Sequence, residues 1–223
     1  STGSLNFLII GFCMGVCNGF AIPLAHKFGA GDYRGLRAFM VNAIYLSAIF
    51  AVVMTAVTVV FCRPILELMR TPDNIIDGAY LYIVIIFAGI PATYLYNLIS
   101  AIIRSMGDSK TPVVFLVISS VMNIALDLVF IINLHLGVAG ASLATVISQA
   151  VSGIGCLIYS WKKFEILHPD AEERRWNSSY MKTLCGMGVP MGLQYSITAI
   201  GSVILQSCLL YTSPSPRDRT RSR

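Results

Sequence analysis

Long apolar runs alternate with short polar ones along this chain. Six runs, 5–27, 38–61, 79–103, 112–133, 138–161 and 181–207, carry no Lys or Arg away from their ends. Each approaches the roughly 20 apolar residues that a helix needs to cross a hydrocarbon core about 30 Å thick, at a rise of about 1.5 Å per residue. The pattern predicts an all-α integral membrane protein with six transmembrane helices. Thr111-Pro112 predicts an N-cap followed by proline at the first helical position, and Thr71-Pro72-Asp73 repeats that logic with an acid near a helix start. Gly29 and Gly31 suit a helix C-terminus. Pro91 and Pro190 fall inside runs and predict kinks.

The connections set the orientation. Those between the first and second, third and fourth, and fifth and sixth runs hold ten Lys and Arg; the other two hold only Arg63 and Arg70. Basic residues concentrate on the cytoplasmic side. Loops 26–37, 104–111 and 162–182 are therefore expected in the cytoplasm, and the protein in the inner (cytoplasmic) membrane. The first run then starts outside and runs inward. The chain begins Ser1-Thr2-Gly3-Ser4 without Met, so at least one further helix is expected upstream.

Composition agrees with the bilayer reading. Of 223 residues, 56% are hydrophobic and 12% charged, with a mean hydropathy of +0.72. A typical soluble domain carries about 25% charged residues. The balance excludes a disordered or nucleic-acid-binding chain despite a formal charge of +5, and it tells against a soluble enzyme. Residues 208–223 stand apart. Cys208 to Asp218 can be reverse-translated into a transposon-type sequencing adapter, so this tail is expected to be an artefact and is set aside from the fold. Without its four Arg and one Asp the formal charge is +2, which argues orientation and not an anionic partner.

Asp127 is the most informative residue. Every other acid in residues 1–207 falls in a connection or at the end of a run; Asp127 stands inside the fourth. At 16 residues beyond Thr111 it lies roughly 24 Å along the helix. Asn123 is one turn earlier on the same face, and Ser119 and Ser120 extend the stripe inward. An ionised carboxylate at that depth costs a few kcal/mol or more and faces a bundle interior or a wet cavity. Desolvation favours the neutral acid, which suits proton exchange; with Asn123 the same pair can offer oxygen ligands to sodium. A neutral Asp tied into interhelical hydrogen bonds is the plain structural alternative.

The remaining polar positions inside runs are weaker. Tyr94, Asn97 and Ser100 follow Pro91 at near-helical spacing and are candidate cavity or cation-site lining, as is Ser120. Gln149, Ser152, Gln194, Tyr195 and Gln206 share the ambiguity between lining and interhelical glue. Gly11, Gly15 and Gly19 form a small-residue ridge for close packing. The cysteines show no C-x-x-C and no metal-type spacing. No histidine falls mid-run and no nucleophile–base pattern stands out, so neither catalysis, nor a catalytic metal, nor a cofactor is expected.

Three passages resemble the multidrug and toxic compound extrusion (MATE) family of secondary transporters. They are Lys27-Phe28-Gly29-Ala30-Gly31-Asp32; Ser100 to Pro112 with Asn123-Ile124-Ala125-Leu126-Asp127; and Gly137 to Thr145, followed by Gly186-Met187-Gly188-Val189-Pro190. The resemblance implies twelve helices in two lobes around a central cavity. Residues 1–161 would form part of the N-terminal lobe, 162–180 the cytoplasmic inter-lobe loop, and 181–207 the first helix of the C-terminal lobe. It also implies a cation site at Asn123 and Asp127, with the fourth-helix position, often Asn, occupied by Ser100 and with Asn97 nearby. An acidic partner on the first helix, where the family has one, falls outside the chain. The implied function is antiport of an amphipathic or cationic compound against protons or sodium. The alternatives are a flippase for lipid-linked sugars or polysaccharides in the same superfamily, and a non-catalytic membrane scaffold.

Overall fold

The computed structural model describes residues 2–68 and 73–212, and every regular element among them is helical. Helices α1 (Thr2–Gly29), α2 (Tyr33–Leu68), α3 (Asp73–Ala88), α4 (Ile90–Ser105), α5 (Lys110–Leu128), α6 (Gly137–Lys163) and α7 (Ser178–Thr212) follow in order. A π-helical turn, Val129–Asn133, continues α5, and a 3-10 turn, Glu165–Leu167, follows α6. Arg70 and the Thr71-Pro72 part of the predicted turn lie outside the described residues, as does tail segment 213–223; residues 208–212 complete α7. The Gln206 side chain is also outside them.

Among the described residues, Phe7–Gly29, Tyr33–Cys62, Lys110–Asn133 and Gly137–Lys163 are long and apolar enough to cross a membrane. A bent pair, Tyr80–Ala88 and Ile90–Ser105, makes a fifth span when taken together. The expected sixth run falls within α7. Large apolar side chains stand exposed along α2 and α5, Val52 at 66% and Val121 at 63% among them, where lipid replaces water as solvent. The chain is a multi-pass membrane protein.

The third run bends by 44° at Gly89. Pro91 lies in the first turn of α4 and cannot donate a backbone bond, which ends α3 there. A Cβ on Gly89 would collide with Val146 of α6, so the bend seats the chain directly on that helix. Beyond it, α4 is the central element. Nine of its sixteen residues are buried, and Ile83, Phe87, Ile90 and Ile103 join Phe20, Leu24 and Leu36 in the core. The kink predicted at Pro91 is present; α7 continues through Pro190.

Carboxylates on the connections start two helices. Asp32 accepts the Gly35 N–H at 2.9 Å and the Lys27 ammonium at 2.6 Å, after a turn in which Gly31 has φ +70°. The cap predicted at Thr111 is supplied instead by Asp108. Its Oδ1 accepts the N–H groups of Lys110 and Thr111, both at 3.1 Å; its Oδ2 accepts the Thr111 hydroxyl at 2.8 Å and the Lys163 ammonium at 2.9 Å. A carboxylate accepts several donors where a hydroxyl accepts few. Lys163 first, and Thr111 next, hold the Asp108 carboxyl well below the usual range.

Helix α7 packs along α1 through glycines. A Cβ on Gly15 would lie 2.7 Å from Gly192 Cα, and one on Gly19 would lie 2.6 Å from Gly188 Cα. Gly11, expected in the same ridge, has nothing within 4 Å of such a Cβ. The ridge is real over its inner two positions only.

Candidate functional site

Helix α5 turns one stripe toward α6. Phe115, Ser119, Met122, Asn123, Leu126 and Asp127 are buried or half-buried, while Val113, Val117, Val121, Ile124 and Leu128 are exposed. The interval of three or four residues is that of one helix face. Phe115 sits against Gly155, which leaves room for its ring between the helices. Further along the same groove, Asn123 Nδ2 donates to the Thr145 hydroxyl oxygen at 3.4 Å, and Thr145 donates back to its own helix at Ala141 O, 3.0 Å away.

Asp127 comes one turn after Asn123, in the last turn of α5. Its Oδ1 is buried and has no hydrogen-bond partner. Buried polar atoms are nearly always paired, so each exception asks for an explanation. A proton or a small cation would meet this oxygen's need directly. Asn123 stands one turn away on the same helix face, and it is Asn123 that contacts Thr145. The π turn follows at once, with Leu134 N donating to Val129 O at 3.1 Å and Leu136 N to Phe130 O at 3.0 Å. Such widened turns are frequent at functional sites.

The other predicted residues divide. Ser120 is exposed and donates to Leu116 O at 2.9 Å, so it lies off the Asn123–Asp127 face. One residue is 100° on a helix, and Ser119 and Ser120 cannot both share that face. Asn97 is half-buried and donates to Thr93 O of its own helix at 2.8 Å. Tyr94 and Ser100, each 2% exposed, have side-chain oxygens with no hydrogen-bond partner. Tyr94 also lines a cavity of about 350 Å³ between α2 and α4, away from Asp127. Ser152 of α6 is likewise buried and unpaired, whereas Gln149 accepts the Thr93 hydroxyl at 2.6 Å and ties α4 to α6. Gln194 is exposed on α7. Tyr195 accepts Asn18 Nδ2 at 3.3 Å, and Asn18 in turn accepts Arg104, joining α7, α1 and α4.

The structure pairs Asn123 with Thr145, a residue absent from the sequence-based candidates, and leaves Asp127 one turn further along the same helix face. A signal was present: Thr145, Gln149 and Ser152 recur at helical spacing on α6. What was missing was the pairing of that face with α5.

The family model described as MatE matches residues 1–129. The Bacillus subtilis (strain 168) protein "Probable multidrug resistance protein YoeA" is 30% identical over 210 residues, covering 91% of this chain and 45% of its own length. A solved outward-facing multidrug resistance MATE family transporter of the MOP superfamily superposes with a TM-score of 0.85 at 24% identity, over 95% of this chain and 47% of that one. A MATE crystal structure in complex with Br-NRF superposes with a TM-score of 0.78 at 24% identity, over 92% and 46%. The chain spans about half the length of the relatives it matches.

Proposed function

The chain belongs to the MatE family, a family of transporters and not of enzymes, and from that premise we propose that it serves a cation-coupled antiporter exporting amphipathic compounds. The observation that carries the coupling is the buried, unpartnered Oδ1 of Asp127, one helical turn from the Asn123–Thr145 contact. Residues 1–161 supply most of the first lobe in this reading, and α7 opens the second after the inter-lobe loop.

The mechanism follows from linkage. Asp127 is protonated or cation-loaded in one conformation and empty in another. An ion drives the cycle only by binding the two conformations with different affinity. The α5–α6 groove is suited to that role. The outer face of α5 is exposed, the helix ends in a π turn, and its acid carries a buried oxygen with no hydrogen-bond partner. The external ion gradient would then be spent on resetting the substrate cavity between lobes. The complex of a related fold with Br-NRF, and a relative described as a probable multidrug resistance protein, support a small drug-like substrate. The cluster of basic loop residues supports the cytoplasmic-membrane orientation, with Lys27, Arg37 and Lys163 each paired to a carboxylate at that end.

The test uses the longer protein, reconstituted in liposomes, with dye efflux measured under separate proton and sodium gradients. Efflux driven by one of the two gradients is expected and identifies the coupling ion. Efflux indifferent to both overturns the proposal.

A further inference from the structure

The connection from α6 to α7, residues 164–177, lies docked on one side of α2. Glu173 is the anchor. Its side chain is 3% exposed, and its two carboxylate oxygens accept Nε and Nη2 of Arg37 at 2.6 and 2.7 Å. Oε2 also accepts the Asp170 N–H at 2.9 Å, which folds the connection around the acid. About one and a half turns of α2 further on, fully buried Asn42 accepts the Asn177 N–H at 3.0 Å and donates to Arg175 O at 3.4 Å. The Tyr45 hydroxyl donates to Arg174 O at 3.2 Å, and its ring stacks on Trp176. Asn177 is also the cap of α7, accepting the Ser179 N–H at 2.9 Å. The residue that ends the docked segment thus begins the next helix.

A segment fixed this way differs from a tether. Two features make it releasable. A polar cavity of about 490 Å³ undercuts it, lined by Asp32, Arg34, Glu172, Arg175, Trp176 and Tyr180. The neighbouring Arg34–Glu172 pair is open to solvent at 73% and 74% exposure. Glu173 itself lines that cavity, so its carboxylate can reach water after a short displacement, which lowers the cost of parting it from Arg37.

We propose that residues 164–177 form a latch: closed on Arg37 and Asn42 it holds the start of α7 against α2, and α7 shifts relative to α2 only once those contacts part. The place of such a shift in a transport cycle rests on the function proposed above. The latch itself does not, and its test involves no transport.

The carbonyls held by Tyr45 and Asn42 belong to Arg174 and Arg175, the two bonds in this segment that trypsin cuts. Limited trypsin digestion of the purified chain in lipid nanodiscs, mapped by mass spectrometry, reads the latch directly. Cleavage after Arg174 and Arg175 is expected to be far slower than in a free peptide of residues 168–180. Glu173→Gln and Asn42→Ala are each expected to accelerate it about tenfold or more, the scale of a lost buried ionic contact in the first and of buried backbone groups left unpaired in the second, without change at Lys27 or Lys110. Wild-type cleavage as fast as the peptide's, or no acceleration in either variant, overturns the proposal. If Glu173→Gln is cut throughout the helices, Arg37→Lys replaces it, keeping the charge but losing the two-pronged contact, with faster cleavage confined to Arg174 and Arg175 expected. Nitroxides at Ile49→Cys and Ile197→Cys, in a Cys185→Ser, Cys208→Ser background, then read the consequence. The α2–α7 distance distribution is expected to broaden in the released variant; an unchanged distribution contradicts the latch.

Discussion

Two helix pairs run side by side through this molecule and are built in opposite ways. Between α1 and α7 the backbones touch at Gly15–Gly192 and Gly19–Gly188, and the rings of Phe12 and Phe20 close over the contact. Between α5 and α6 the packing is thinner. Only Thr111, Pro112 and Ser119 of α5 are buried, and α5 and α6 carry Asn123, Thr145 and an acid with one oxygen unpaired. In lipid, close approach of backbones is itself a source of association, since apolar side chains gain little by leaving lipid for protein. The first pair uses that source. The second forgoes it at Asp127 and retains a costly group in return, which is why chemistry is assigned to one pair and architecture to the other.

Substitutions can break this contrast at either end. The largest structural effect is expected from Gly19→Leu, whose side chain must displace the Gly188 backbone. A loss of about 1–3 kcal/mol or more is expected from overpacking, measured as earlier unfolding in detergent. Gly11→Leu, with open space around it, is the control and should be close to neutral. If the two behave alike, the glycine contact is not what holds α1 to α7.

On the other pair, Thr145→Ala removes the partner of Asn123. Because Thr145 supports the groove without carrying charge, coupling-ion affinity is expected to weaken about tenfold, typical of a supporting contact. The chain's thermal stability should barely move. A large loss of stability with unchanged ion affinity would turn the α5–α6 groove into a second piece of architecture.

Smaller again is the effect of pH on the latch beside these pairs. Glu173 faces Arg37, Asp170 and Arg34, and the Arg37 guanidinium is the main cause of a carboxyl held below its ordinary 4.5. Its ionised form therefore stabilises the docked state above that value, and this contribution fades as pH falls through the lower folded value. Hydrogen exchange over residues 170–177, corrected for intrinsic rates, should stay slow at neutral pH and rise only in acid. The least effect is expected from Tyr195→Phe. It removes one interhelical hydrogen bond from the α1–α7 pair, worth about 0.6 kcal/mol on average in membranes, while the glycine contacts stay in place.

Much of this was visible in the order of residues. The apolar runs located the helices, Pro91 located the bend, and the isolation of Asp127 among apolar neighbours located the acid, because each is a property of a single segment. The misses are properties of two segments at once. Thr111 looked like a cap until Lys163 and the α5 backbone were seen converging on Asp108. Ser120 looked like part of the stripe until α6 was seen choosing the Ser119 side. Thr145 entered the site only through Asn123. Arg37 counted as a loop charge in an orientation argument and Glu173 only as an acid in a connection, and nothing within either segment reveals that they pair.

Asp127→Asn in the longer protein tests the assignment most directly. The substitution keeps the shape of the side chain and its seat between α5 and α6, but removes the charge that a proton or cation answers. Gradient-driven dye efflux from liposomes should disappear, with the protein still folded in the membrane and still binding substrate. Efflux at the wild-type rate under the same gradient would contradict the account.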